Sequence, residues 1–308
     1  ARVAAADGAR AVAGIDPLDA RTIAGDATIV YHARGAAPAL VRQLTERAGR
    51  VAVVHADPAP DPVAWRDLRA LASSGAIGLA TSDAAAERLS DAGVSCVERV
   101  PPVVARARLA AVPVFEPTAH HLEVAVHGPL VLAVDDMATA TSAARVVQAY
   151  HVLRTYLVRS SQLTLAIVDG CATSEIAAQR VSREVWGLRL ADAWVQRITN
   201  PGERAAFTRH ASVFVTADPA VGDVGHALAA MAEGVPVVAP AIAGVADALG
   251  GGALLLPPDA GAALVAEAIA ELLTDDARRG RFAEGAARAV ARFEPAVVAP
   301  VWLTALAS

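Results

Sequence analysis

Apolar positions along this chain fall into two series of short runs, each followed by a stretch with helical spacing. The first series begins with "ATIVYHA" (27–33), a β-branched run ending at His32. Residues 37–48 then carry Leu40 and Leu44 four apart, which predicts a helix. "RVAVVHADP" (50–58) reads as a second buried strand, ending in His55 and a proline-rich loop. "VAWRDLRALASSG" predicts a helix closed by Gly75, and "AIGLATSD" (76–83) a third strand whose Ser82 and Asp83 cap the next helix. "SCVERVPP" closes the unit. Strands that are continuously apolar, alternating with helices, predict a parallel sheet covered on both faces.

Residues 101–128 change character. Prolines punctuate them and no single period dominates. A second series restarts at "PLVLAVDD" (129–136), followed by a helix over about 139–159. "QLTLAIVDG" is the next strand and turn, 173–186 a polar helix and "DAWVQRI" a strand. "NPGERAAFTRHA" opens with turn chemistry and continues as a helix. "SVFVTAD", "VPVVAP" and "GALLLPPD" predict three more strands, with "GVADALGG" between the last two. A long amphipathic run from "AALVAEAI" to "AVARF" closes the series, with a break at Thr274-Asp275. The pattern therefore predicts 1–110 as an N-terminal domain, 111–128 as a linker and 129–308 as a C-terminal domain.

Composition changes this picture little. The chain has 308 residues, is 55% hydrophobic and 19% charged, and carries a net charge of −5. That acidic balance provides no overall basic field for nucleic acid or an acidic membrane. All 27 basic residues are arginine. Cys96 and Cys171 are far apart, which argues against a disulfide framework or a zinc site and for the cytoplasm. There is no uncharged apolar run of about 18 residues that would span a membrane. No metal or other cofactor is expected.

Three stretches carry a resemblance. "HALAAMAEGVPVVAP" (226–240) is a short helix running into Gly234 and a buried strand. "GVADALGGGALLLPPD" adds a turn and strand, and "LTLAIVDG" a strand with its turn. Their order and spacing over about 129–293 resemble the C-terminal domain of GT-B glycosyltransferases, family 4 of the retaining type. "VVHADP" and "GLATSDAAAERLSDAG" resemble, more weakly, parts of the N-terminal domain. The resemblance implies an α/β fold of two Rossmann-like lobes facing a cleft, with a UDP- or GDP-sugar as donor ligand on the C-terminal lobe.

It also implies where the chemistry should lie. The two family glutamates fall on Val221 and Ala229, and the Arg and Lys that neutralise the donor diphosphate fall on Asp136 and Thr141. Neither Val nor Ala accepts a hydrogen bond, and each lost charged acceptor costs about 1.5–3 kcal/mol. A carboxylate at 136, about 4 Å from a phosphate oxygen, would repel it by roughly 4 kcal/mol at an effective dielectric near 20. Gly222 and Gly225 precede a helix whose N-terminus favours an anion. His55 matches the cleft histidine and is the one catalytic candidate. Glu203 resembles the polar residue near the nucleotide base. The expectation is a glycosyltransferase-like protein degenerate at its donor site, acting as a binding or partner subunit to another glycosyltransferase or to itself. The alternative is an active transferase with a rearranged donor site built from Asp218 or Asp223 and Arg145.

Overall fold

The computed structural model describes residues 28–32, 50–55, 69, 72–73, 77–81, 83–104, 118–119, 124–125, 128–135, 141–158, 163–169, 175–197, 201–216 and 224–307. Contacts divide the chain into two compact units, one holding described residues up to 103 and from 293 onward, the other those from 104 to 292.

The first unit is built on a four-stranded sheet. Its strands β1 (Thr28–His32), β2 (Arg50–His55), β3 (Ile77–Ala80) and β4 (Cys96–Arg99) are all parallel and adjacent in chain order. Helix α1 (Asp83–Asp91) crosses between β3 and β4, with an acidic residue in its first turn as the helix dipole favours. The helix predicted over 37–48 lies outside the described residues.

The second unit opens with a small antiparallel pair, β5 (Thr118–Ala119) and β6 (Val124–Ala125). Its main sheet has six parallel strands: β7 (Leu130–Asp135), β8 (Thr164–Asp169), β9 (Ala193–Arg197), β10 (Val213–Val215), β11 (Val237–Pro240) and β12 (Ala253–Leu256). They lie in the order β12-β11-β10-β7-β8-β9. Counted from β9, the strands run third, second, first, fourth, fifth, sixth, which is the doubly wound Rossmann arrangement.

Both faces of this sheet are covered, which explains why its strands read as unbroken apolar runs. Val131, Ala133, Leu165, Ile167, Val213 and Val215 pack on one side. They meet α2 (Thr141–Val152), α3 (Glu175–Gly187) and α7 (Ala262–Thr274) through Val147, Val181 and Ile269. The alternate residues Leu130, Leu132, Ala166 and Phe214 are equally buried. On their side lie α4 (Pro201–His210), α5 (Gly225–Ala232), α6 (Ala243–Leu249) and α8 (Asp276–Ala291).

The run predicted to continue as helix to about 159 leaves α-geometry earlier. Residues Leu153–Leu157 form a π turn, held by Val158 N–H donating to the Leu153 carbonyl at 2.8 Å. The break predicted near Thr274-Asp275 is present, and the Asp275 carboxylate caps α8 by accepting from Arg278 N–H at 2.9 Å. A further helix, α9 (Pro295–Ala307), groups with the first unit although the sequence pattern left 129–308 undivided. Val298, Trp302 and Ala305 pack with Ile77, Leu79 and Val100, and the Trp302 indole donates to the Pro101 carbonyl at 2.9 Å.

Tyr150 illustrates how α2 is fixed. Its ring is fully buried, and its hydroxyl donates to the Leu163 carbonyl at 2.6 Å. Burial, reinforced by the neighbouring Asp192 carboxylate, pushes the phenol far above its usual range. A native state that keeps this phenol neutral loses ground once the unfolded chain can ionise it. Stability from Tyr150 is therefore full below pH about 10 and falls as pH rises beyond it. Urea midpoints at pH 9 and 11 should show a steeper alkaline loss for the unmodified chain than for Tyr150→Phe. Equal losses would mean that the phenol is not held this way.

Candidate functional site

In a doubly wound sheet the ligand crevice forms beyond the carboxyl ends of the strands, where the chain order reverses. Here the reversal lies between β7 and β10, which are direct neighbours with Val213 beside Val131 and Val215 beside Ala133. The chain leaving β7 enters α2 at Thr141, and the chain leaving β10 enters α5 at Gly225. Each helix runs back against its strand, so both N-termini sit at this carboxyl edge. The topology thus brings the starts of α2 and α5, at Thr141 and Gly225, to the same edge from opposite halves of the unit.

Helix α5 is short because its sequence dictates it. Gly234 ends it in the left-handed region at φ +80°, and Val235 N–H turns back to the Ala230 carbonyl at 2.9 Å. Its inner face, Ala227, Leu228, Ala230 and Met231, is buried. Its first turn has no acidic residue, and Val224 at the N-cap supplies no side-chain acceptor. Ala229 lies one turn in and is partly exposed. The only polar side chain between Gly225 and Ala232 is His226. At its far end the helix is braced by Arg209 of α4. That guanidinium donates to both Glu233 oxygens, at 3.0 and 3.1 Å, across a largely buried contact.

Other expected site residues are distributed as follows. Glu203 lies in the first turn of α4 and accepts from Gln196 Nε2 at 3.3 Å, Gln196 being a buried residue near the end of β9. The carboxylate thus holds its helix to its strand, a pairing whose only sequence signal is a glutamine inside an apolar strand. Arg145, in the second turn of α2, donates to the Pro258 carbonyl at 3.2 Å. It lines a cavity of about 500 Å³ with Gln148, Arg180, Glu184, Asp259 and Gly261, formed by α2, α3 and the entry to α7. A cavity of about 520 Å³ opens at the opposite edge of the sheet, beside Pro129, Ser212 and Pro236. His55 ends β2 at the carboxyl edge of the first sheet, level with Ala80. Asp136, Asp218, Val221, Gly222 and Asp223 lie outside the described residues. Among the described residues, no group of three or more His, Cys, Asp or Glu is placed to hold a metal ion.

No protein-family model matches the chain, and no curated protein matches it in sequence. Solved structures do match over most of its length. A UDP-forming α,α-trehalose-phosphate synthase from Burkholderia vietnamiensis superposes with a TM-score of 0.64 at 18% identity, covering 93% of this chain and 75% of that one. The corresponding synthase from Burkholderia xenovorans gives 0.65 at 17% identity, over 91% and 73%. A glycosyltransferase from Rickettsia africae gives 0.60 at 15% identity, over 90% and 76%. The chain has a GT-B glycosyltransferase fold. No described helix of this GT-B chain is long and apolar enough to cross a membrane.

Proposed function

We propose that this glycosyltransferase-like chain has lost the charged groups of its donor site and serves as a binding or partner subunit, to another glycosyltransferase or to a second copy of itself, in the cytoplasm. The observation that carries the reading is α5. It stands at the topological switch point, where a nucleotide-sugar site is expected, yet it presents Ala229 and no carboxylate. Asp136 and Val221 in the flanking segments add a charge of the wrong sign and a side chain that cannot accept. Arg145, the cation that a rearranged donor site would need, already bonds the Pro258 carbonyl, which weighs against the active alternative.

The test is a calorimetric titration of the chain with UDP, GDP and their common sugars. Enzymes of ordinary efficiency work with substrates at about micromolar to millimolar levels. Two lost acceptors at about 1.5–3 kcal/mol each approach or exceed the roughly 4.1 kcal/mol between micromolar and millimolar. The expected dissociation constant is therefore about millimolar or weaker. Micromolar binding would overturn the partner reading and favour an active transferase using Asp218 or Asp223.

A further inference from the structure

The outer face of α3 is unlike the rest of this acidic chain. Arg180, Arg183 and Trp186 follow one another at three-residue steps, so they share the side of the helix turned away from the sheet. Arg189 stands just past its end. All four are exposed, and Trp186 keeps 83% of its surface open. Among the described residues, none of the three guanidiniums has an ion-pair or side-chain hydrogen-bond partner. Arg189 also adopts φ +54°, left-handed backbone usually given to glycine.

The neighbouring end of α2 extends the patch. Tyr156 is 72% exposed and Leu157 43%, both on the π turn. Arg154 pairs with Asp192 in the turn after α3, which ties that segment to the same end of the layer. Of the carboxylates nearby, Asp192 is ion-paired with Arg154, and Glu184 accepts from the Gln148 amide at 2.7 Å and keeps its charge. Of the remaining acids, Asp259 lines the cavity beside Arg180 together with Arg145, and Glu267 lies on α7. The patch is cationic and aromatic although the whole chain is at −5.

We propose that this face docks the chain on an anionic lipid surface. Arginine pairs with lipid phosphates, while Trp and Tyr rings settle at headgroup depth, the apolar body inward and the polar edge in water. The indole protrudes from a helix face with 83% of its surface open, whereas the cavity beside Arg180 is lined by small apolar residues together with both basic and acidic side chains. A headgroup layer moulds itself to such a surface. A protein partner would need a complementary pocket over an area of about 800 Å² a side. Docking by α3 leaves the carboxyl edge of the sheet free, so the proposal stands whether or not the donor site is degenerate.

The experiment is sedimentation of the full chain with vesicles of phosphatidylcholine alone and with roughly a third of phosphatidylserine, the range of surface charge at which each arginine contributes about fivefold to partitioning. Binding to the anionic vesicles only, abolished by high salt, is expected. Arg180→Gln with Arg183→Gln should lower the partition coefficient about thirtyfold. Trp186→Ala should lower it severalfold, with an unchanged melting curve in each variant. The same binding to neutral vesicles, no binding to either, or indifference to the arginine pair would overturn the proposal. Loss of a stable protein complex in the arginine variant, with vesicle binding intact, would assign the face to a protein instead.

Discussion

Gly285→Ala in α8 is expected to destabilise the second unit by about 3 kcal/mol, although alanine is the better helix former. The reason is backbone contact. The chain Gly250–Gly252 makes a single 3₁₀ turn between α6 and β12, and α8 lies directly on it. A methyl group on Gly285 would stand 2.2 Å from the Gly251 carbonyl oxygen and 2.5 Å from its carbon. A methyl on Gly252 would meet Ala286 N at 2.5 Å and Ala286 Cα at 2.6 Å. No side chain can rotate away from these contacts, so one of the two backbones must move. Arg292, just beyond α8, also donates to the Asp247 and Ala248 carbonyls of α6, at 2.5 and 2.9 Å, which keeps the helix from sliding off. Gly280 is the control within the same helix. It is exposed, and nothing lies within 4 Å of an added methyl. Gly280→Ala should therefore stabilise by about 0.5–1 kcal/mol. Denaturant midpoints of opposite sign for the two variants are expected. A Gly285→Ala chain as stable as the parent would show that α8 does not approach the glycine turn this closely.

The facing glycines of the turn and of α8 mark the limit of what was legible beforehand. In the sequence, Gly251 and Gly252 fall in a predicted turn and Gly285 inside a predicted helical run. Only the fold shows that they face each other. The strands of the two parallel sheets, by contrast, were legible because they are short, mostly apolar runs bounded by turn residues, whereas the small pair β5 and β6 falls in the stretch read as a linker. The start of α8 was legible because Asp275 stands where a capping side chain is needed. The π turn at Leu153–Leu157 was not, since "LRTYL" fits an ordinary helix. Nor was the place of α9: Trp302 reaches Pro101 across 201 positions of sequence, which no local period records. Net charge likewise conceals local segregation, because the −5 of the whole chain says nothing of Arg180 and Arg183 along one face of α3 and Arg189 just past its end.

The proposed donor site was legible only through resemblance, because the switch point joins β7 and β10, whose starts are 83 residues apart in sequence. Once the sheet order is known, topology places the starts of α2 and α5 at one edge. The alignment of particular residues is a separate matter, and a repair experiment addresses it. The double variant Asp136→Arg with Ala229→Glu should bind UDP or GDP at least a hundredfold more tightly than the unmodified chain. Restoring a carboxylate for the ribose hydroxyls should return about 1.5–3 kcal/mol. Replacing a repelling carboxylate with a guanidinium removes roughly 4 kcal/mol of opposition at an effective dielectric near 20. It then adds a bidentate partner for phosphate. Partial exposure of Ala229 leaves room for the longer side chain, and the adjacent Leu228 and Ala230 keep the buried face of α5 as it is. The helix N-terminus alone contributes only about 0.3–1 kcal/mol, which is why α5 does not compensate by itself. Calorimetry on the two single variants and the double variant reads each contribution. A hundredfold gain would place the degenerate donor site at the carboxyl edge of β7 and β10. No gain in any variant would mean that Asp136 and Ala229 are not the positions where the charges were lost.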